Sequence, residues 1–359
     1  MMHARPRFPL GLALLLVAPS AALAAQDEVV EAAFRVTVDS ARHDVVLTVG
    51  PFVLPSMAAG GHSHGGHDES QMPQFNYKFT WPVEGTGRGF RMELRDAEGK
   101  KVSQRVLHHL NIINQDRRQL LLPIAERVMA AGRETPSVML PATIGLPLDR
   151  GTRMRLNLMW HNETPVDIEA VWLTIRIRYS PGNLLPAPML TLPISMDVAD
   201  MKGRSNTFTV DTGRTEVARE FIMPVSARLL GVNGHLHDWG TELRLEDAVT
   251  GRVLTRITPR LDARGKIDRM PTRLFGIVGD GLRLRAHRRY RVVVVYDNPT
   301  GAPLVGVMGH LDGLLSVSPA ALARWPLKDD PGMAYVDEGA SRPPTAPVPD
   351  ASAPQASAP

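Results

Sequence analysis

Cysteine is absent from all 359 residues of this chain. Its absence excludes disulfide bonds and thiolate metal ligands. Any transition metal must therefore be bound by histidine, methionine or carboxylate side chains. A chain of this length can bury a hydrophobic core without covalent cross-links, and we expect two domains.

The chain also has little net charge and few aromatic residues. Lysine and arginine total 41 against 37 aspartates and glutamates, a net charge of +4, and the arginines are scattered rather than gathered in a block. This pattern argues against a nucleic-acid partner. The five tyrosines and five tryptophans are too few and too dispersed to outline a substrate pocket.

Long hydrophobic runs are missing except near the N-terminus. Residues 1–25 combine two arginines, an apolar run over Leu10–Val17 and small residues up to Ala25, which predicts a signal peptide and a periplasmic or secreted protein. No run approaches the roughly 20 apolar residues of a membrane-spanning helix. Residues 329–359 are rich in proline, alanine and serine, which predicts a disordered tail.

The intervening sequence alternates with a period of two. Segments such as FRVTVDS, DVVLTVG, MRLNLMW and YRVVVVYD are separated by glycine, proline, aspartate and asparagine. This predicts an all-β chain of two tandem antiparallel β-sandwich, jelly-roll-like domains. A proline cluster near 181–193 sets their ranges at 27–185 and 190–325. A brief helix is expected over Leu121–Ala131.

Two pairs of histidines have spacings that favour metal binding. His235 and His237, in GVNGHLHDWG, project from one face of a strand about 7 Å apart along the chain. The alternative is a pair of buried side chains bonded to backbone carbonyls. His108 and His109, in LHHLNII, are adjacent, so both reach one ion only where the strand twists or bulges. The alternative is one buried and one exposed ring.

Three further residues extend this pattern. His161, in NLMWHNET, lies at a strand end, and Met308 lies in LVGVMGHLDG. Met308 is also compatible with simple core filling. His310 is an extra candidate ligand, although its position favours a surface turn.

A glycine-rich segment at 60–72, GGHSHGGHDESQM, carries His62, His64 and His67. Such flexible segments can bind copper or zinc as auxiliary sites. A solvated loop without fixed ligands is the alternative.

Taken in order, HH, H, HxH and M resemble the copper type II, ascorbate-dependent monooxygenase family, which contains peptidylglycine α-hydroxylating monooxygenase and dopamine β-monooxygenase. The chain would be a distant bacterial member. The resemblance implies two copper ions and ascorbate or another reductant, with hydroxylation of a substrate C–H bond by O2. The implied ligands are His108, His109 and His161 for an electron-transfer copper, and His235, His237 and Met308 for a catalytic, oxygen-activating copper.

Two departures narrow the implied substrate. Met159 and Asn233 occupy positions where peptide-amidating members carry glutamine and arginine, so a glycinated peptide is disfavoured and the small-molecule or peptide substrate is unidentified. The alternatives are a non-catalytic periplasmic copper-binding, storage or delivery protein, with copper-handling proteins as partners, and a β-sandwich interaction module with vestigial sites.

Overall fold

The alternating segments form strands, as the sequence predicts. The computed structural model describes residues 32–57, 74–122, 124–135, 137–199, 207–275, 281–318 and 320. Three predicted features lie outside these residues, namely the signal peptide, the histidine-rich segment 60–72 and the tail 329–359.

Among the described residues, the first half of the fold contains ten strands and a short 3-10 helix at Gln104–Val106. The strands are β1 (Ala33–Asp39), β2 (Asp44–Leu54), β3 (Gln74–Thr80), β4 (Gly85–Arg95), β5 (Leu107–Arg118), β6 (Ala125–Gly132), β7 (Val138–Met139), β8 (Ile144–Pro147), β9 (Arg153–Trp160) and β10 (Ile168–Pro181).

These strands form the first sandwich. One layer runs β1-β2-β10-β4-β8 and the other β3-β9-β5-β6. Alternate residues of β10, such as Leu173, Ile175 and Ile177, are fully buried and share one core with Leu156 and Leu158 of β9. The period-two pattern therefore separates the core face from the solvent face.

The described part of the second half contains thirteen strands. They are β11 (Met189–Asp197), β12 (Phe208–Val210), β13 (Gly213–Ile222), β14 (Ala227–Leu236), β15 (Gly240–Asp247), β16 (Arg252–Ile257), β17 (Arg260–Leu261), β18 (Ile267–Arg269), β19 (Arg273–Leu274), β20 (Leu282–Leu284), β21 (Arg289–Asn298), β22 (Leu304–Val307) and β23 (Gly309–Val317).

The second sandwich packs β11-β23-β14 against β13-β21-β15-β16. A short parallel pairing of β8 with β11, Met189 opposite Ile144, joins the first sheets of the two sandwiches. Leu122 and Ile124 from the first half of the chain enter the core of the second sandwich. The two sandwiches thus share a sheet, and the core of the second includes residues from the first half of the chain.

The prediction of an all-β chain with two sandwiches is confirmed, whereas the predicted helix over Leu121–Ala131 is wrong. Most of that segment is β6, which pairs with β5 so that Ile112 lies opposite Met129. Strand pairing overrides the local preference of this alanine-containing segment. The domain ranges stay predictions. No described residue belongs to a helix with the length and hydropathy needed to cross a membrane.

The burial of β10 predicts a stability difference. Ile175→Ala should lower the free energy of unfolding by about 2–5 kcal/mol, because it opens a cavity in the first core. Val53→Ala, on the neighbouring β2 and 65% exposed, should change it by less than about 0.5 kcal/mol. Urea denaturation of both variants checks this, and similar losses would contradict the core assignment.

Candidate metal centre

The adjacent pair His108 and His109 lies at the start of β5, where the strand is irregular. The pairing of β5 with β9 shifts register between Leu107 and His109. Both rings therefore approach each other, with centroids 4.2 Å apart. The sequence required a bulge for both histidines to reach one site, and the strand has this irregularity.

In the second pair, His235 lies near the end of β14 and His237 directly follows the strand. Their ring centroids are 5.1 Å apart. Gly234 is required for this geometry, since a Cβ there would lie 2.1 Å from Leu243 Cδ2. Without a side chain at Gly234, β14 lies close to its neighbours and His235 comes directly opposite His310 of β23.

Tyr296 fixes the position of His237. The backbone N–H of His237 donates to the Tyr296 hydroxyl at 3.0 Å, and that hydroxyl donates to the carbonyl of Met308. Burial raises the pKa of Tyr296, so the hydroxyl stays protonated and available as a donor. One buried phenol thus links the second histidine pair to the segment around Met308.

The two pairs face each other, one from each sandwich. Nε2 of His109 lies 3.4 Å from Nε2 of His235, and the ring centroids of His108 and His237 are 5.7 Å apart. One ligand nitrogen from each of His108, His109 and His237 lies within 4.8 Å of the others. Side chains of both sandwiches therefore converge on one point.

Two outer histidines continue the cluster. His161 lies 6.0 Å from His108, and His310 lies 5.4 Å from His235, between ring centroids. His310 is buried in β23, so its predicted surface turn is wrong. Its position two residues after Met308, on the same face of an alternating segment, was the signal for its inclusion. The histidine cluster comprises His108, His109, His161, His235, His237 and His310.

Carboxylates contact Nδ1 of three of these rings. The pairs are Glu134 Oε1 with His235 at 2.7 Å, Asp312 Oδ2 with His310 at 2.8 Å, and Glu163 Oε1 with His161 at 3.6 Å. In metal sites, a carboxylate on one ring nitrogen fixes the tautomer and orients the other nitrogen toward the ion. Sequence reasoning missed these three acids, because each lies far from its histidine pattern or has no distinctive spacing.

Burial and neighbouring charges set the protonation of the centre. Burial, together with the adjacent histidines, holds the pKa of His109 well below its ordinary value, which favours the neutral, metal-binding form. Burial would raise the pKa of Glu134, but attraction to His235 outweighs it and the net pKa is lowered. The pKa of Asp312 is lowered in the same way, with His310 outweighing burial.

Arg133 forms hydrogen bonds with two acidic residues next to the cluster. Arg133 donates from Nη2 to Asp238 Oδ1 at 3.0 Å and from Nη1 to Glu163 Oε1 at 2.9 Å. Asp238 follows His237 directly, whereas Glu163 contacts His161. Arg133 therefore connects the histidine-bearing segments of the two sandwiches.

A cavity of about 510 Å³ opens beside the cluster, within the roughly 300–1,000 Å³ of small-molecule pockets. His109, His235, His310 and Met308 contribute to its wall. The remaining wall is mostly apolar. Met308 is itself buried, and it shares the cavity wall with His109, His235 and His310.

Polar groups also reach this cavity. Asn157 donates to Asn76 Oδ1 at 3.0 Å and accepts from Asn111 at 3.4 Å, forming a row of amides across β3, β9 and β5. Asn111 and Asn157 line the cavity, as do Met159 and Asn233. A bound molecule would therefore meet amide groups and the edge of the histidine cluster.

The chain is similar to known proteins only in structure and at low sequence identity. No protein-family model and no curated protein matches the chain. Among solved structures, PNGF-II is 11% identical over 76% of this chain and 66% of its own, with a TM-score of 0.38. Recombinant peptide:N-glycanase F is 12% identical over 76% and 95%, with a TM-score of 0.37. A glycosylasparaginase from Flavobacterium meningosepticum is 11% identical over 75% and 95%, with a TM-score of 0.34.

The sequence-based assignment to the copper monooxygenases is wrong. No family model or curated protein supports it, and the solved structures similar to the chain include peptide-N-glycanases. The geometry also differs from the implied one, because the histidine sets of the two halves form one cluster. The ring centroids of His109 and His235 are only 5.0 Å apart, whereas the resemblance implied one ion site in each domain across an open cleft.

The functions that depended on this assignment are corrected with it. Hydroxylation by O2, two copper ions per chain, ascorbate as a co-substrate and an oxidoreductase activity are contradicted by these comparisons. The alternative of a copper storage or delivery protein has no support in them either. The auxiliary ligands His62, His64 and His67 lie outside the described residues.

The role of Tyr296 yields a second prediction. Tyr296→Phe should lower the free energy of unfolding by about 1–3 kcal/mol, because it leaves the buried His237 N–H and Met308 carbonyl without their partner. Tyr179→Phe is a matched control, since this buried tyrosine has no such double contact; its loss should stay below about 0.5 kcal/mol. Urea denaturation measures both, and equal losses would contradict the linking role.

Proposed function

We propose that the histidine cluster binds a divalent transition-metal ion and that Zn²⁺ is the ion its spacing fits best. The observation that most directly supports this proposal is the 3.4 Å separation of His109 Nε2 and His235 Nε2. Two imidazole nitrogens at the usual Zn–N distance, with a tetrahedral angle between them, are about 3.3 Å apart. An ion between these rings therefore needs little rearrangement.

The proposed inner ligands come from both sandwiches. His108, His109 and His237 have ligand nitrogens within 4.8 Å of one another, and His235 is next to His109. Neutral imidazoles suit borderline divalent ions, and burial favours the neutral form of His109. His161 and Met308 stay predicted ligands at the edge of the same centre.

The carboxylates of Glu134, Asp312 and Glu163 support this proposal. A buried histidine needs no acid on Nδ1 to pack well, yet Glu134 is hydrogen-bonded to His235 at 2.7 Å. Asp312 and Glu163 lie 2.8 and 3.6 Å from Nδ1 of His310 and His161. Such acids raise the basicity of the ring and orient its second nitrogen. Their repeated presence favours a metal centre over a group of merely packed histidines.

This function predicts that Zn²⁺ stabilises the folded protein. Since ligands from both sandwiches are assembled only on folding, Zn²⁺ at about 1,000 times its Kd should add about 4 kcal/mol to the free energy of unfolding. In H109A/H235A this gain and the bound zinc should both be lost. Calorimetry and elemental analysis after dialysis measure the two quantities.

His287 supplies a matched control. It lies outside the cluster with a φ of 59°, a conformation that asparagine tolerates. H287N should therefore bind zinc as the unmodified protein does. Absence of retained metal in the unmodified protein, or equal zinc content in H109A/H235A, would sink the proposal.

A second candidate function, metal-assisted hydrolysis, is favoured by one observation. His109 and His235 line the 510 Å³ cavity, and catalytic zinc sites keep one coordination position open. A bound ion would supply Lewis-acid polarisation of a substrate carbonyl. The chain itself would orient the substrate through Asn111 and Asn157 and exclude water with the apolar wall.

Hydrolysis is separated from simple binding by turnover. The zinc-loaded protein should cleave an activated ester such as p-nitrophenyl acetate faster than H109A/H235A does, by about 100-fold or more if the ion assists catalysis. The zinc-loaded H287N variant should match the unmodified protein. Stoichiometric zinc with equal ester cleavage in all three proteins would leave binding intact and reject hydrolysis.

A further inference from the structure

A second cavity, of about 350 Å³, lies in the second sandwich and shares no lining residue with the first. Four arginines line it, namely Arg252, Arg283, Arg285 and Arg288. Asp247 is the acidic residue of its wall. The cavity therefore has a strong excess of positive charge.

Local structure holds these arginines together. Arg283 lies in β20 and Arg285 follows two residues later, so their side chains leave the same face of an extended segment. The backbone N–H of Arg285 donates to the hydroxyl of the buried Tyr290 at 2.8 Å. Arg252 begins β16, and Arg288 lies in the turn before β21.

The charges of these arginines are less compensated than those of their neighbours. Arg291 donates from Nε to Glu246 at 2.8 Å and Arg289 reaches Glu220 at 3.3 Å. In the cavity, Asp247 contacts Arg288 at 2.6 Å. Within the described part of the chain, no acidic partner is found for the other three, Arg252, Arg283 and Arg285.

A further arginine lies near Arg283 in the strand pairing. Arg283 of β20 lies directly opposite Arg228 of β14 in the strand pairing. Like charges opposite each other in an antiparallel pair are destabilising.

We propose that this arginine cavity binds a tetrahedral oxoanion, either a phosphate or a sulfate group. Each guanidinium presents a planar fork of donors that matches two oxygens of such a group. A carboxylate has only two oxygens to share among several forks, whereas phosphate and sulfate have three or four. The number of uncompensated arginines thus fits the tetrahedral group better.

The arginine cavity forms through folding rather than through a basic run in the sequence. Arg252 lies in β16, more than 30 positions before Arg285, and Arg228 is in β14. The scattered arginines gave no such prediction from the sequence. The proposal does not depend on the metal centre, since the two cavities have separate walls.

Isothermal titration of the whole protein with sodium sulfate and sodium phosphate tests this site, with sodium chloride at equal ionic strength as the reference. We expect saturable binding with a Kd of about 1 mM or tighter. In R283Q/R285Q the affinity should fall about 10-fold to 100-fold, because charge-assisted contacts are lost while the aliphatic stems stay.

R35Q/R91Q is the matched control. Arg35 and Arg91 are exposed strand residues of the first sandwich, and this variant should bind both anions as the unmodified protein does. Both double variants keep the histidine cluster, so any contact of an anion with a bound metal is the same in all three proteins. Binding no stronger than chloride, or equal affinity in the two double variants, would overturn the proposal.

A heparin-derived sulfated oligosaccharide distinguishes the source of the group. Much tighter binding than inorganic sulfate, lost in R283Q/R285Q, identifies a group carried on a sulfated polymer. Affinity equal to that of inorganic sulfate, also lost in R283Q/R285Q, identifies a free ion or a small ester.

Discussion

The close contact between His109 and His235 determines how the rest of the histidine cluster must be arranged. Their Nε2 atoms face each other at 3.4 Å, and each ring comes from a different sandwich. This approach requires the irregular start of β5 at Leu107 and the missing side chain at Gly234. The pairing of β8 with β11 joins a sheet of one sandwich to a sheet of the other. Local irregularities and the overall topology therefore serve the same contact.

Much of the fold could be predicted from the sequence, and less of the site. Alternation in the strands directly reports which face is buried, so the all-β sandwiches follow from the period of two. The histidines at 108, 109, 161, 235 and 237 were named from the sequence as candidate ligands, four of them because paired histidines are uncommon enough to stand out. Their spacing, however, gives no information on whether two sandwiches bring them to one place or two. That depends on long-range packing, which the sequence pattern does not encode locally.

The partners of the histidines show the same limit. Glu134 contacts His235 across 101 positions of sequence, and Arg133 reaches Asp238 across 105. A single buried acid has no periodic signature, so only the fold reveals it. His310 was named as an extra candidate ligand because it lies two residues after Met308, although the structure places it in β23 and not in a surface turn. Contacts within one strand are thus predictable, whereas those between sandwiches are not.

The proposed ion would lie between the facing rings of His109 and His235. Glu134 Oε1 lies 2.7 Å from Nδ1 of His235, so the other ring nitrogen, Nε2, is the one that faces His109. His109 Nε2 can then face it at 3.4 Å either by donating its own proton or by sharing an ion. Burial disfavours an added charge on His109, so a protonated pair is costly in this environment. A divalent ion between the rings would give both Nε2 atoms a partner, with the single proton of neutral His109 on its Nδ1 atom instead.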